Sequence, residues 1–564
     1  MIKPAAWVPA DVPSLESNAE RVVREHIRNL LVTAGPGAGK TEILAQRADY
    51  LLRVGLCPYP QRILAISFKV DAARNLGDRV RIRCGRVLAK RFDSYTFHAF
   101  AKRLVDAYRL ALPADHALSS GYSIESHTAY PDQIRFDDLL PLAIEILQTN
   151  DYALGGLRQT YSHVFLDEFQ DATDQQYNLL KEALIGAESI ITAVGDAKQR
   201  IMGWAGALDK VFDLFAGDFD ASPVRLYQNY RSKPVLRRFQ NRMVAVIEPA
   251  AVVPTKDLMG DQGLVSVIHY ANDTAEAAGL ADMIEAWLAG GVKHSDIAVL
   301  VRQWPEFVAG TLASELASRG IAHRDEQKRQ DLTAEPAAAL ILDLLRVISG
   351  RGQSSAYEQL VRIVSFTGFG DEIRDRAQSA VRRLLAESRL AVASRNFNQQ
   401  DIGAWMEIVS QFLELITRPV LTGLSPSYQH GTRLDDLIQE TRDALAEELA
   451  LDGSMANALD RLSEDDAIRI LTIHKVKGLE FEKVIVLGVE KELFWTSNDS
   501  TIHDLRNVFF VAASRAKDEL VLTYVDSRSR PRGLTKRWDV SRHPYLEFLG
   551  YANDKEEGAD EPPF

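Results

Sequence analysis

The stretch Leu30 to Thr41, LLVTAGPGAGKT, decides how this chain is read. Leu30 to Thr33 read as a buried strand, and Glu42 to Leu52 as the helix that follows. Between them, Ala34-Gly35-Pro36-Gly37-Ala38-Gly39-Lys40-Thr41 has the spacing of a Walker A loop, with alanine at the first glycine position. In that strand-to-helix setting, backbone N–H groups and the helix N-terminus converge on one point, which favours a phosphate. Lys40 is then placed to reach the terminal phosphates, and the Thr41 hydroxyl to ligate Mg²⁺. The competing reading is a chance glycine-rich turn, and the partners that appear further along the chain argue against it.

The chain has 564 residues, enough for about three or four domains with cores of their own. At 46% hydrophobic and 26% charged it has the composition of an ordinary globular protein. No apolar run approaches the ~18 residues that a bilayer crossing needs, and Met1 to Glu25 lacks a signal-peptide core, so a cytoplasmic location without membrane contact is expected. Cys57 and Cys84 are the only cysteines, too few for a disulfide framework or a zinc site, and the twelve histidines show no ligand spacing. A net charge of −12 argues against coating nucleic acid over the whole surface but allows a local basic groove. Two arginine groups, Arg74 to Arg91 and Arg374 to Arg389, read equally as solvated helix faces and as nucleic-acid contacts.

Further strands are expected at Arg62 to Phe68, Arg91 to Thr96, His163 to Leu166 and Ser189 to Val194, with helices between them. This is the pattern of a doubly wound parallel sheet, with polar residues gathered at the strand C-termini. A second such unit is expected to begin near Val224 and to resume at Leu264 to Tyr270, Ile297 to Arg302, Ile470 to Ile473, Lys483 to Leu487 and Glu519 to Tyr524. The expected division is therefore a first α/β lobe over 1–223 with a small helical insertion at about 105–160, and a second lobe over 224–349 and 464–530. Residues 350–463 form a helical insertion, and 531–564 a partly disordered tail.

An NTP hydrolase also needs a second carboxylate beside the metal and a group that orients the attacking water. Asp167, at the end of an apolar strand, sits where a Walker B aspartate holds Mg²⁺, and Glu168 beside it is the natural water activator. Positive charge for the transition state could come from a second lobe. Arg231 in Tyr227-Gln228-Asn229-Tyr230-Arg231-Ser232 and Arg515 in Val511-Ala512-Ala513-Ser514-Arg515-Ala516 stand out.

Taken in order, these strings resemble the superfamily 1A helicases of the UvrD/Rep group. AGPGAGKT resembles motif I, ILAISFKVDAA motif Ia, and TFHAFA the DNA-contact motif that follows. FLDEFQDATDQQY resembles motif II, VGDAKQRIMGWAGA motif III and LYQNYRS motif IV, while ILTIHKVKGLEF and FFVAASRAKDELVL resemble motifs V and VI. The resemblance runs from about Leu30 to Tyr524. It implies two RecA-like lobes with shortened, mainly helical accessory insertions, and an ATP- and Mg²⁺-dependent motor that moves 3′ to 5′ on single-stranded or tailed duplex DNA.

At matching positions it implies that Gln199 senses the γ-phosphate, that Arg231 and Arg515 are the transition-state cations, and that Tyr230 stacks near the adenine. Gly478 and Glu480 would lie near the ribose, and Phe68, Thr96, His98, Trp204 and His474 would line the strand path. Aromatic side chains suit such a path because every base has a π-face, and each stacked base contributes ~1–3 kcal/mol. The chain departs from the family at Ala19, where an adenine-reading glutamine is usual, and at Glu42, where an arginine is usual. It departs again at Asp71, Met202, Ala205 and Phe510, which together imply a looser hold on the strand. A competing expectation, from the short accessory insertions, is an NTP-gated DNA-sensing subunit that works with a separate nuclease or repair protein, as in phage defence, without processive unwinding. A DNA-binding protein that does not hydrolyse NTPs is a third reading, which the intact Lys40, Asp167, Glu168, Gln199, Arg231 and Arg515 oppose.

Overall fold

The computed structural model describes residues 2–12, 14–68, 70–113, 115–119, 122–124, 133–201, 207–208, 210–325, 332, 335–350, 354–364, 371–416, 418–422, 424, 428, 433–462, 467–495, 500–530 and 540–553. Two compact units emerge, one made of Met1–Arg103, Asn150–Arg324 and Asp466–Phe564, the other of Leu104–Thr149 and Asp325–Asp465.

The first unit contains both large sheets. Strands β1 (Leu30–Ala34), β2 (Arg62–Ser67) and β3 (Phe92–Thr96) are followed, after the short pair β4 (Ser123–Ile124) and β5 (Gln133–Ile134) of the other unit, by β6 (Tyr161–Asp167), β7 (Ile190–Gly195) and β8 (Ser222–Leu226). The first sheet has the order β3-β2-β6-β7-β1-β8, and its paired strands are parallel. The run of buried residues along β1, β2 and β6 follows from this architecture, because helices cover both faces of such a sheet. With β7 between β1 and β6, the loop after β7 emerges between the Walker A loop and the Asp167 turn.

The second sheet is built from β9 (Leu264–Asn272), β10 (Ile297–Val301), β11 (His323–Asp325), β12 (Ile468–Thr472), β13 (Phe481–Val486) and β14 (Ala516–Ser527), in the order β11-β12-β10-β13-β14-β9. Val299, Ile485 and Val521 fill its centre, and Phe494, Phe509 and Phe548 stack beside it. Both sheets together give the α/β architecture of parallel sheets that the alternating pattern predicted and the two RecA-like lobes that the resemblance implied.

Two expected boundaries change. The run at Val224 does not open the second lobe: Ser222–Leu226 pairs in parallel with β1 and completes the first sheet. An apolar run carries no mark of its partner, so the sequence could place this strand in either sheet. The helical insertion also starts earlier than residue 350. Helix Pro336–Ile348 is apolar around most of its circumference and is buried with Trp405, Val409, Phe412 and Leu445 in the core of the second unit. Residues 531–539 and 554–564 of the expected tail lie outside the described residues. The segment just before that last stretch, by contrast, packs Phe548 and Leu549 into the core of the second sheet.

Candidate active site

The helix Lys40–Val54 starts directly at the end of the glycine-rich loop and stops at Gly55, whose φ of +87° closes it in a left-handed cap. Gly37 and Gly39 have φ of +71° and +75°, left-handed backbone that glycine adopts at little steric cost. Gly37 is also needed for space, since a Cβ there would lie 2.6 Å from the Cβ of Arg231. The Tyr230 N–H donates to the Gly37 carbonyl at 2.9 Å, so the segment after β8 lies directly on the loop. Lys40 Nζ rests 3.4 Å from the Ala34 carbonyl oxygen, and Thr41 is half-buried beside it.

Asp167 ends β6 fully buried, and Glu168 takes the left-handed backbone at φ +51°, an uncommon conformation for a non-glycine residue. Burial and the adjacent Glu168 charge push the Asp167 carboxyl up, against the pull of Lys40. Burial works against Glu168 too, but Lys40, Lys477, Arg515 and a 2.6 Å hydrogen bond from Gln170 Nε2 outweigh it, so this carboxylate stays ionised. A charged base beside a carboxylate short of positive charge fits a divalent cation. Among the described residues no group of three or more His, Cys, Asp or Glu side chains could hold one alone.

From Glu168 a chain of hydrogen bonds crosses to the second lobe. Gln170 Oε1 accepts from the Asp196 N–H at 3.0 Å, Gln199 Nε2 donates to Asp196 Oδ2 at 2.8 Å, and Arg515 Nη2 donates to Gln199 Oε1 at 2.8 Å. Arg515 is 2% exposed and is held from behind by the Val511 and Leu479 carbonyls. Lys477 Nζ donates to Asp171 Oδ2 at 2.6 Å and to the Gln199 carbonyl at 2.8 Å. Arg231 Nε donates to Glu480 Oε2 at 2.7 Å and its Nη1 to the Ser514 carbonyl at 3.1 Å. Glu480, expected at the ribose, is thus tied to Arg231 and to Lys517; burial raises its carboxyl, but these two cations bring it below the usual range. Tyr230 is 57% exposed, with its hydroxyl donating to Gln228 Oε1 at 2.8 Å.

The structure therefore brings Lys40, Asp167, Glu168, Gln199, Arg231, Arg515, Tyr230 and Glu480 to one cleft. Arg515 and Glu480 lie at the N-terminal edge of the second sheet, just before β14 and β13, whereas the phosphate loop and Asp167 lie at the C-terminal edge of the first. Lys477, Asp171, Gln170 and Asp196 belong to the same cleft but received no role from the sequence. Their signal was present, since each stands inside a motif string, but only their pairing in space gives them a part.

Among the expected strand-path residues, Phe68 follows β2, and Thr96 ends the neighbouring β3, where it is the register partner of Ser67. His98 sits in the first turn of helix Phe97–Tyr108. His474 follows β12 on the second sheet, its Nδ1 3.5 Å from Arg302 Nη1. Trp204 lies outside the described residues.

Residues 15–129 and 122–220 match the UvrD/REP helicase N-terminal domain, and residues 428–527 match the UvrD-like helicase C-terminal domain. DNA helicase II of Escherichia coli K12 is 26% identical over 91% of this chain and 85% of its own length. The ATP-dependent DNA helicase PcrA of Leuconostoc citreum is 24% identical over 88% of this chain and 80% of its own length. For the same-named protein of Staphylococcus aureus Mu50 the identity is 22%, over 88% and 81%. With both domains matched in order on a two-lobe fold, the chain belongs to the UvrD/Rep family of ATP-dependent DNA helicases.

Proposed function

We infer that this chain is a motor that moves 3′ to 5′ along single-stranded DNA and separates tailed duplexes, with NTP hydrolysis in the cleft between its two sheets. The observation that carries the reading is the Arg515 to Gln199 hydrogen bond, which puts a second-lobe cation in reach of the first lobe's hydrolytic carboxylates. Lys40 and the loop N–H groups hold the β- and γ-phosphates, Glu168 orients the attacking water and accepts its proton, and Arg231 and Arg515 stabilise the charge that develops on the γ-phosphoryl oxygens. Mg²⁺, when bound to the Thr41 hydroxyl and Asp167, neutralises phosphate charge in the same place. Because groups from both lobes are required, hydrolysis depends on closure, and opening afterwards lets the strand advance past Phe68, Thr96, His98, Trp204 and His474. The cytoplasm is the expected site of action; among the described residues no helix is long and apolar enough to cross a membrane.

The test is strand displacement by the purified chain on duplexes with a 3′ or a 5′ tail. Separation of the 3′-tailed substrate alone is expected. DNA-stimulated hydrolysis with no displacement of either duplex would sink the motor reading and leave the regulatory-subunit one.

A further inference from the structure

We propose that Lys198 is a positioning residue for hydrolysis: by keeping the buried Asp196 ionised, it fixes which way round the Gln199 amide lies. The assignment rests on the cleft being the hydrolytic site. A side-chain amide fits a polar chain in two orientations, and only its hydrogen-bond partners decide between them. Gln199 lies between Arg515, which can only donate, and Asp196. It therefore shows its carbonyl to Arg515 and its NH₂ group to Asp196. That order holds while Asp196 is a carboxylate, which accepts and never donates. Protonated, Asp196 would be a weaker acceptor and a donor as well, and the amide would lose its fixed sense. The second N–H of Gln199 is left for an oxygen of the γ-phosphate.

Asp196 is 1% exposed, and burial by itself raises its carboxyl. Lys198 Nζ lies 3.0 Å from Oδ1, the Lys198 N–H donates to the same oxygen at 3.2 Å, and Gln199 takes Oδ2. Lys198, Lys40 and the Gln199 bond bring the carboxyl below its usual range. Arg515 adds its charge from the second lobe. Lys40 and Arg515 also hold Glu168 ionised, so Lys198 is the cation committed to Asp196. Its only other ionic partner is Glu248 Oε2, at 2.8 Å, on the residue that ends the helix Pro234–Ile247. That helix packs Leu236, Phe239 and Met243 into the core of the second sheet. Glu248 Oε1 accepts from Arg225 Nη2 at 2.6 Å, on β8 of the first sheet. Charges thus alternate along Asp196, Lys198, Glu248 and Arg225, and the ammonium is held between a carboxylate of each lobe. Lys198 has no freedom to turn towards the phosphates, so its effect on hydrolysis passes through Asp196.

The test compares the pH dependence of kcat in the full chain, Lys198→Met and Asp196→Asn, with ATP, Mg²⁺ and single-stranded DNA saturating. The affinity of each for a fluorescent nucleotide is measured beside it. Lys198→Met is expected to lower kcat at pH 7 by about 10- to 100-fold, the loss that misplacing a group near the reacting atoms brings. Nucleotide affinity should stay within about threefold. The acid limb of the profile should move up by about 1–3 pH units, so that the rate recovers as pH rises and Asp196 ionises. Asp196→Asn is neutral at every pH and keeps the Lys198–Glu248 pair, so it should be slow without recovering, and the double variant should be no slower. It also carries the test if Lys198→Met does not fold. An acid limb that stays in place in Lys198→Met, an affinity loss as large as the loss in kcat, or Asp196→Asn within about threefold of the unmodified kcat would overturn the assignment. An unmodified chain without turnover would sink the motor reading and the assignment together, whereas those outcomes in an active chain sink the assignment alone.

Discussion

Lys477 Nζ lies 2.6 Å from Asp171 Oδ2, and both side chains are almost completely buried, at 4% and 2% exposure, although 306 positions separate them in the chain. The pair joins the loop before β13 to the short turn after Glu168, and Lys477 also holds the Gln199 carbonyl. Taking one member from such a pair leaves a buried charge without its counter-ion, which costs about 3–5 kcal/mol. Lys477→Met is therefore expected to lower the thermal midpoint and to depress turnover together. Adding Asp171→Asn should recover part of the midpoint, because the stranded carboxylate is gone; a double-mutant cycle with no coupling would refute the link.

Arg515 cannot be exchanged for another cation at its position. Its Nε, Nη1 and Nη2 each have a separate acceptor, in Val511, Leu479 and Gln199, a fork that an ammonium group cannot reproduce. Arg515→Lys should lose about 10²- to 10³-fold in kcat with little change in nucleotide affinity, and single-turnover measurements separate the two quantities.

Glu168→Gln keeps the size and the Gln170 contact but removes the charge that accepts a proton. Turnover should fall by about 10³-fold while the fluorescent nucleotide still binds. Chelation of divalent cations should abolish hydrolysis in the unmodified chain, and added Mg²⁺ should restore it. Survival of hydrolysis without any divalent cation would contradict the assignment of Thr41 and Asp167.

His163, buried in the middle of β6, ties stability to acid. Burial and the nearby Arg47 charge hold its imidazole down to about 3, so it is neutral in the folded chain while the unfolded chain protonates at its ordinary value. The unfolded state therefore binds the extra proton, and stability is lost progressively as pH falls from about 6.5 towards 3, by ~2 kcal/mol at pH 5. His163→Val should flatten the dependence of the thermal midpoint on pH between 7 and 5. An unchanged slope would mean that the imidazole titrates normally in the fold.

Phe68 directly follows β2, next to Ser67, the register partner of Thr96, and is the residue proposed to stack on a base. Phe68→Ala should raise by about tenfold the DNA concentration that half-maximally stimulates hydrolysis, since one stacked base contributes ~1–3 kcal/mol. The Michaelis constant for nucleotide, measured at saturating DNA, checks that the effect is confined to the strand. A shift in that constant of the same size would place Phe68 elsewhere.

The amino-acid sequence by itself determined the phosphate loop, the Asp167–Glu168 pair and the alternation of strands and helices, because each depends on spacing over a few residues. It also determined the order of the motifs. It did not reveal that Ser222–Leu226 belongs to the first sheet or that Pro336–Ile348 packs with the insertion, because an apolar segment is compatible with more than one partner. The rule that ligands lie at strand C-termini located Lys40 and Asp167 but not Arg515 and Glu480, which reach the cleft from the N-terminal edge of the second sheet. Tertiary structure alone decided the Lys477–Asp171 pair, the Glu168-to-Arg515 chain and the engagement of Glu42 by Arg79 and Arg83. In parallel sheets the strands that meet are far apart in the chain, so which charge finds which is a property of the packed sheets and has no local signature.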